Sequence, residues 1–179
     1  MCIRDRFAGV FVPYRLERLE SFINFLITGE LSEPLGRDYQ LRQILIAVGT
    51  GQIFGQGFAQ SKQKFSYLTE TAFSDSIFAV YAEEFGFLGS VILVAIFIWI
   101  MFQGFKIARN APDKLGVLLA SGITIWISIQ ALIHLGVNVG LIPLTGMPLP
   151  FLSYGGSSLI TSMIAIGILI NISRHSVEH

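Results

Sequence analysis

Residues 86–107, GFLGSVILVAIFIWIMFQGFKI, are almost entirely apolar, and their one charge, Lys106, lies near an end where its stem can snorkel to the membrane surface. A helix needs about 20 apolar residues to cross a bilayer core, so this run reads as a transmembrane span. Residues 115–135 form a second, carrying Trp126 and the polar Ser121, Thr124, Ser128 and Gln130. Residues 157–172 form a third, bounded by Arg174 and His175. Residues 38–58 are weaker, because Gly49, Gly51, Gly55 and Gly57 interrupt them and Gln40, Arg42, Gln43 and Gln52 lie inside. Such a segment spans only if other helices shelter it. Residues 7–14 read as the last turns of a further span. The expected fold is therefore all-α: a polytopic transmembrane helical bundle of about four spans plus the tail of another.

Composition agrees. The chain is 53% hydrophobic and 13% charged, with a mean hydropathy of +0.65, too apolar for a soluble domain of 179 residues. The formal net charge of +0 and the lack of a long basic run give no reason to expect nucleic acid. One cysteine, Cys2, excludes an internal disulfide and a cysteine-cluster metal site. It sits in the opening MCIRDR, which lacks a signal-peptide core and reads as a truncation or assembly scar over residues 1–6. Residues 7–179 read as part of one membrane domain.

Orientation follows from the basic residues. Lys106, Arg109 and Lys114 cluster between the first and second strong spans and Arg174 follows the third, so those ends, and with them the C-terminus, are expected to be cytoplasmic. Arg15, Arg18 and Arg37 fall on the same side. Residues 61–85 and 138–156 are then outer loops, while 108–114, with Asn-Ala-Pro-Asp, is a tight turn between antiparallel helices.

The first outer loop holds Lys62, Lys64, Glu70, Asp75, Glu83 and Glu84. A carboxylate near the membrane, beside cations able to hold an anionic headgroup, is what acid–base chemistry on a lipid-linked substrate requires. Equally, Ser74 or Asp75 can be the N-cap of the helix that follows, with Glu83 and Glu84 pairing basic groups. The second outer loop contains Pro143, Pro148 and Pro150 with Gly140, Gly146, Gly155 and Gly156, which force an irregular backbone that must dip between helices rather than lie on lipid. Ser153, Tyr154, Gly155, Gly156, Ser157 and Ser158 can offer amides and hydroxyls to a phosphate at the start of the last span, or can serve close helix packing. His134 reads as an interhelical hydrogen-bond partner; no second histidine stands at metal-ligand spacing.

At these two loops the sequence resembles the SEDS family of shape, elongation, division and sporulation proteins (FtsW, RodA, SpoVE), over residues 14–174. Tyr14-Arg15 with Arg18 and Ser21-Phe22 is similar to the family's cytoplasmic loop, and Tyr39-Gln40 through Gly49-x-Gly51 and Gly55-x-Gly57 to its glycine-studded span. Ser61-x-Gln63-Lys64 favours the FtsW-like branch. Asp75-x-Ile77-Phe78-Ala79-Val80 with Glu83-Glu84-x-Gly86 is similar to the segment carrying the family's essential aspartate, and Gly140-Leu141-Ile142-Pro143 to Ser153-Tyr154-Gly155-Gly156-Ser157-Ser158 is similar to its signature. The chain departs from the usual pattern at Leu68-Thr69-Glu70, where Leu-Pro-Glu is common, and has one extra residue before Asp75. Phe73-Ser74 replaces His-Thr, and Ser76 replaces Phe. His134 stands where asparagine is common, and Thr145 where some members carry lysine.

The resemblance implies a C-terminal half of a protein of about ten spans in the bacterial cytoplasmic membrane, with the Asp75 loop on the outer face. It implies peptidoglycan glycosyltransfer in division or wall growth: lipid II is polymerised, undecaprenyl pyrophosphate leaves, and Asp75 is the general base. Lys62, Lys64, Glu70 and residues Ser153 to Ser158 become substrate contacts, and a divalent cation would be a further neutraliser of the pyrophosphate. The implied partners are a class B penicillin-binding protein and other divisome proteins. Two other classes compete: a lipid-linked precursor flippase, gated by the broken span and the outer loop, and an inactive packing module of the divisome.

Overall fold

A computed structural model describes Ile23, residues 37–57 and residues 74–175. Residues 1–22, with the expected scar, Arg15 and Arg18, lie outside the described residues, as do Lys62, Lys64, Glu70 and the segment around them. Among the described residues four helices follow in order: α1 (Arg37–Thr50), α2 (Ile77–Arg109), α3 (Lys114–Asn138) and α4 (Gly156–Arg174). The chain is an all-helical membrane bundle, and α2, α3 and α4 are each long and apolar enough to cross a bilayer. Exposed Phe87, Trp99, Phe102, Leu118, Leu132, Ile160 and Ile164 on these helices are suited to lipid.

Two elements differ from expectation. Helix α1 has 14 residues, about 21 Å at 1.5 Å per residue, short of a ~30 Å hydrocarbon core. It runs through Gly49 and ends at Thr50, and residues 51–57 form a turn. Helix α2 starts at Ile77, so Glu83 and Glu84, expected in the outer loop, are helical and buried.

Inside α2 the helix is broken at Gly86, with φ 68° and ψ −165°. A break frees carbonyls before it and amides after it, and in a membrane each must find a partner. The 51–57 turn supplies them. Gln56 N–H donates to Glu83 O (2.9 Å) and Gly57 N–H to Glu84 O (3.1 Å), while Phe87 and Leu88 N–H donate to Gln52 O (2.8 Å) and Ile53 O (3.2 Å). So close a backbone seam excludes side chains. A Cβ at Gly51 would overlap the Ala82 carbonyl, one at Gly55 the Glu84 carbonyl, and one at Gly86 the Gly55 nitrogen.

Small residues also set the α2–α3 contact. Gly104 lies directly against Thr124, whose Cγ2 would stand 2.7 Å from an added Cβ. Gly104→Ala is expected to cost about 1–3 kcal/mol through overpacking. Thr124→Ala in the same chain should recover most of that loss, read as thermal unfolding in detergent. Ala108, Ala120 and Leu169 form one buried cluster, with Ile172 packed on it. That cluster gathers the end of α2, the start of α3 and the end of α4, and so brings Arg109, Lys114 and Arg174 to one end of the bundle. The opposite end carries the start of α2, the end of α3 and the 139–155 loop.

Candidate active site

At that opposite end Asp75 stands just before α2. The N-cap of the helix is Ser76, with no side-chain capping bond, so neither the Ser74 nor the Asp75 side chain caps it. Asp75 is half-buried and lines a cleft of about 230 Å³ with Gln40, His134, Val137, Leu144, Thr145, Gly146 and Met147. Such a volume is below the roughly 300–1,000 Å³ of complete small-molecule sites, and suits one unit of a larger substrate.

The wall opposite Asp75 is built by the end of α3. Val139 is its C-cap and Gly140, at φ 75°, turns the chain out of it. Leu141 N–H donates to Gly136 O (2.8 Å) and Gly140 N–H to Val137 O (3.1 Å), the paired bonds of a Schellman ending. The chain then passes over the cleft. Gly146, at φ 69°, brings its backbone beside the carboxylate, so that an added Cβ would stand 3.6 Å from Asp75 Oδ2.

Side chains of α3 hold both sides of this cleft. Asn138 Nδ2 donates to the main-chain oxygens of Asp75 (3.3 Å) and His134 (2.9 Å). His134 Nδ1 donates to Met147 O (2.7 Å), and Gln130 Nε2 to Pro148 O (2.9 Å). Further along, Ser153 Oγ donates to Ser74 O (2.7 Å) and accepts the buried Leu149 N–H (2.7 Å). The 139–155 loop is thus tied to the residue before Asp75.

Ser153 therefore has its hydroxyl engaged within the protein. Ser153→Ala is expected to leave the buried Leu149 amide unpaired, lowering stability by about 1–3 kcal/mol. A thermal unfolding curve in detergent checks it. Tyr154 is exposed, and Gly155, Gly156, Ser157 and Ser158 open α4 without lining the Asp75 cleft. The structure brings Asp75 together with Gln40, His134 and the 144–147 segment instead. Polar residues one turn apart in an apolar helix, His134 and Asn138, are the sequence feature that points to this face. Among the described residues, no three His, Cys, Asp or Glu side chains gather as a metal site.

The chain is similar to known proteins in sequence and in fold. The family model for FtsW, RodA and SpoVE, described as "Cell cycle protein", matches residues 7–178. Stage V sporulation protein E of Bacillus subtilis is 47% identical over 164 residues, covering 92% of this chain and 43% of that protein. The probable peptidoglycan glycosyltransferase FtsW of Halothiobacillus neapolitanus is 46% identical over 175 residues, covering 94% of this chain and 41% of that protein. The chain thus spans about two-fifths of the length of these curated relatives. A solved structure described as "Structural coordination of polymerization and crosslinking by a peptidoglycan synthase complex" aligns with a TM-score of 0.66 at 26% identity, covering 93% of this chain and 43% of that one.

Proposed function

The chain belongs to the FtsW/RodA/SpoVE family of cell cycle proteins, multi-pass proteins of the inner membrane, and we propose that it carries the catalytic base of a peptidoglycan glycosyltransferase. The observation that carries this is the placement of Asp75: a half-buried carboxylate at the mouth of a broken membrane helix, under an ordered loop, in a cleft sized for a sugar unit.

The substrate is lipid II. Asp75 takes the proton from the acceptor sugar's hydroxyl as that oxygen attacks the anomeric carbon of the donor. The new glycosidic bond forms as the carbon–oxygen bond to undecaprenyl pyrophosphate breaks, and the leaving group departs with the electron pair. One displacement of this kind inverts the anomeric centre. Lys62 and Lys64, in the segment before Asp75, would hold the pyrophosphate, with Glu70 and the start of α4, Gly155 to Ser158, as further contacts outside the Asp75 cleft; a divalent cation would add to that neutralisation. The basic cluster at the other end of the bundle favours a cytoplasmic C-terminus and an outer-face cleft. A class B penicillin-binding protein, as crosslinking partner, fits the synthase complex that the fold matches.

A flippase would also use a broken helix, but there the freed backbone groups serve a substrate or ion. Here the Glu83 and Glu84 carbonyls are taken by Gln56 and Gly57. That favours glycosyl transfer. Purified full-length protein carrying this segment, given lipid II in detergent, is expected to make glycan strands. A flippase or a packing module makes none.

A further inference from the structure

Three buried polar atoms around Asp75 have no hydrogen-bond partner among the described residues: Ser76 Oγ, His134 Nε2 and Asn138 Oδ1. Buried polar atoms are nearly always paired, so three unpaired ones beside a cleft call for an explanation. His134 is the most informative. Its ring is 1% exposed, lines the cleft, and has a fixed orientation, since a carbonyl oxygen can only accept and Met147 O therefore requires the proton on Nδ1. Nε2 is left over. It presents a lone pair in the uncharged ring and an N–H in the charged one, and a sugar hydroxyl, which both donates and accepts, satisfies it either way.

We propose that His134 is a substrate contact of this cleft, its Nε2 binding a hydroxyl of the sugar held beside Asp75. The inference rests on the glycosyl-transfer reading and adds to it a contact that an asparagine at this position could not make. Asn138 is bonded both to the Asp75 main chain and to the His134 carbonyl, so the base and the imidazole sit on one framework. A ligand held by Nε2 keeps its register against the carboxylate.

Two variants separate the two nitrogens. His134→Asn places an amide where Nδ1 is and can keep the Met147 bond, but has nothing at Nε2. His134→Gln reaches the Nε2 position and gives up the Met147 bond. In the full-length protein carrying this segment, binding of fluorescent lipid II is measured separately from its polymerisation. His134→Asn is expected to weaken binding about tenfold, whereas His134→Gln stays within about threefold of the unsubstituted protein. Binding unchanged by His134→Asn, or weakened more by His134→Gln, would overturn the proposal and leave the ring a support for the loop alone. Because this readout needs no turnover, it decides the contact whether or not strands are made. Absence of strands from the unsubstituted protein counts against the glycosyl-transfer reading instead.

Discussion

Asp75→Asn, placed in a full-length protein carrying this segment, is expected to abolish glycan polymerisation while leaving membrane insertion and thermal stability near those of the unsubstituted protein. General base catalysis contributes about 10²–10⁴-fold to a rate, and an amide cannot take the proton. The substitution is nearly isosteric. Asp75 meets Asn138 through its main-chain oxygen, which the change leaves in place, and its side chain does not cap α2. A folded but silent variant is therefore the outcome. Lipid II turnover, followed by the length distribution of the strands, measures it; strands at the usual rate would remove Asp75 from the chemistry.

Gly86→Val is expected to have the largest effect on folding. At φ 68° a β-branched residue is strained by its own backbone. Its Cβ would also overlap the Gly55 nitrogen and approach Ile53 O to 2.7 Å. Neither neighbour is a side chain that can swing away. The turn would have to withdraw, and the bonds from Gln56, Gly57, Phe87 and Leu88 would be lost together within the membrane. A loss above about 4 kcal/mol follows from backbone strain combined with unpaired polar groups. Loss of a cooperative melting transition in detergent, or of membrane-inserted protein, checks it. An unaltered melting temperature would mean that α2 runs unbroken through Gly86.

The helix break explains what could and could not be read in advance. The apolar runs at 86–107, 115–135 and 157–172 announced three spans because lipid demands apolar length, and helix boundaries moved only outward, to Ile77, Arg109, Lys114, Asn138 and Arg174. Gly86 looked like the start of a span, since a glycine beside an apolar run says nothing of its φ. Its break depends on the 51–57 turn, far back along the chain, and no local pattern carries that. Pro143, Pro148 and Pro150 did announce an irregular loop, but not that residues 144–147 would line the cleft of Asp75.

The site itself was less legible. Asp75 could be singled out only through the resemblance, because as a residue type before a helix it reads more readily as a cap. The Ser153 to Ser158 stretch, chosen for its hydroxyls and amides, divides in the structure: Ser153 fastens the loop to Ser74, and the rest opens α4 away from the cleft. His134 had read as an interhelical hydrogen-bond partner. Its Nδ1 does bond, though to a loop carbonyl, while Nε2 is left unpaired among the described residues. Which nitrogen is used depends on where Met147 lies, and that is a tertiary fact.

In the proposed reaction Asp75 acts as a base in a single displacement. The most direct measurement is the anomeric configuration of the first linkage formed from lipid II, read by nuclear magnetic resonance against that of the donor. Inversion is the predicted result; retention, with a glycosyl group recovered on Asp75 by mass spectrometry, would contradict it.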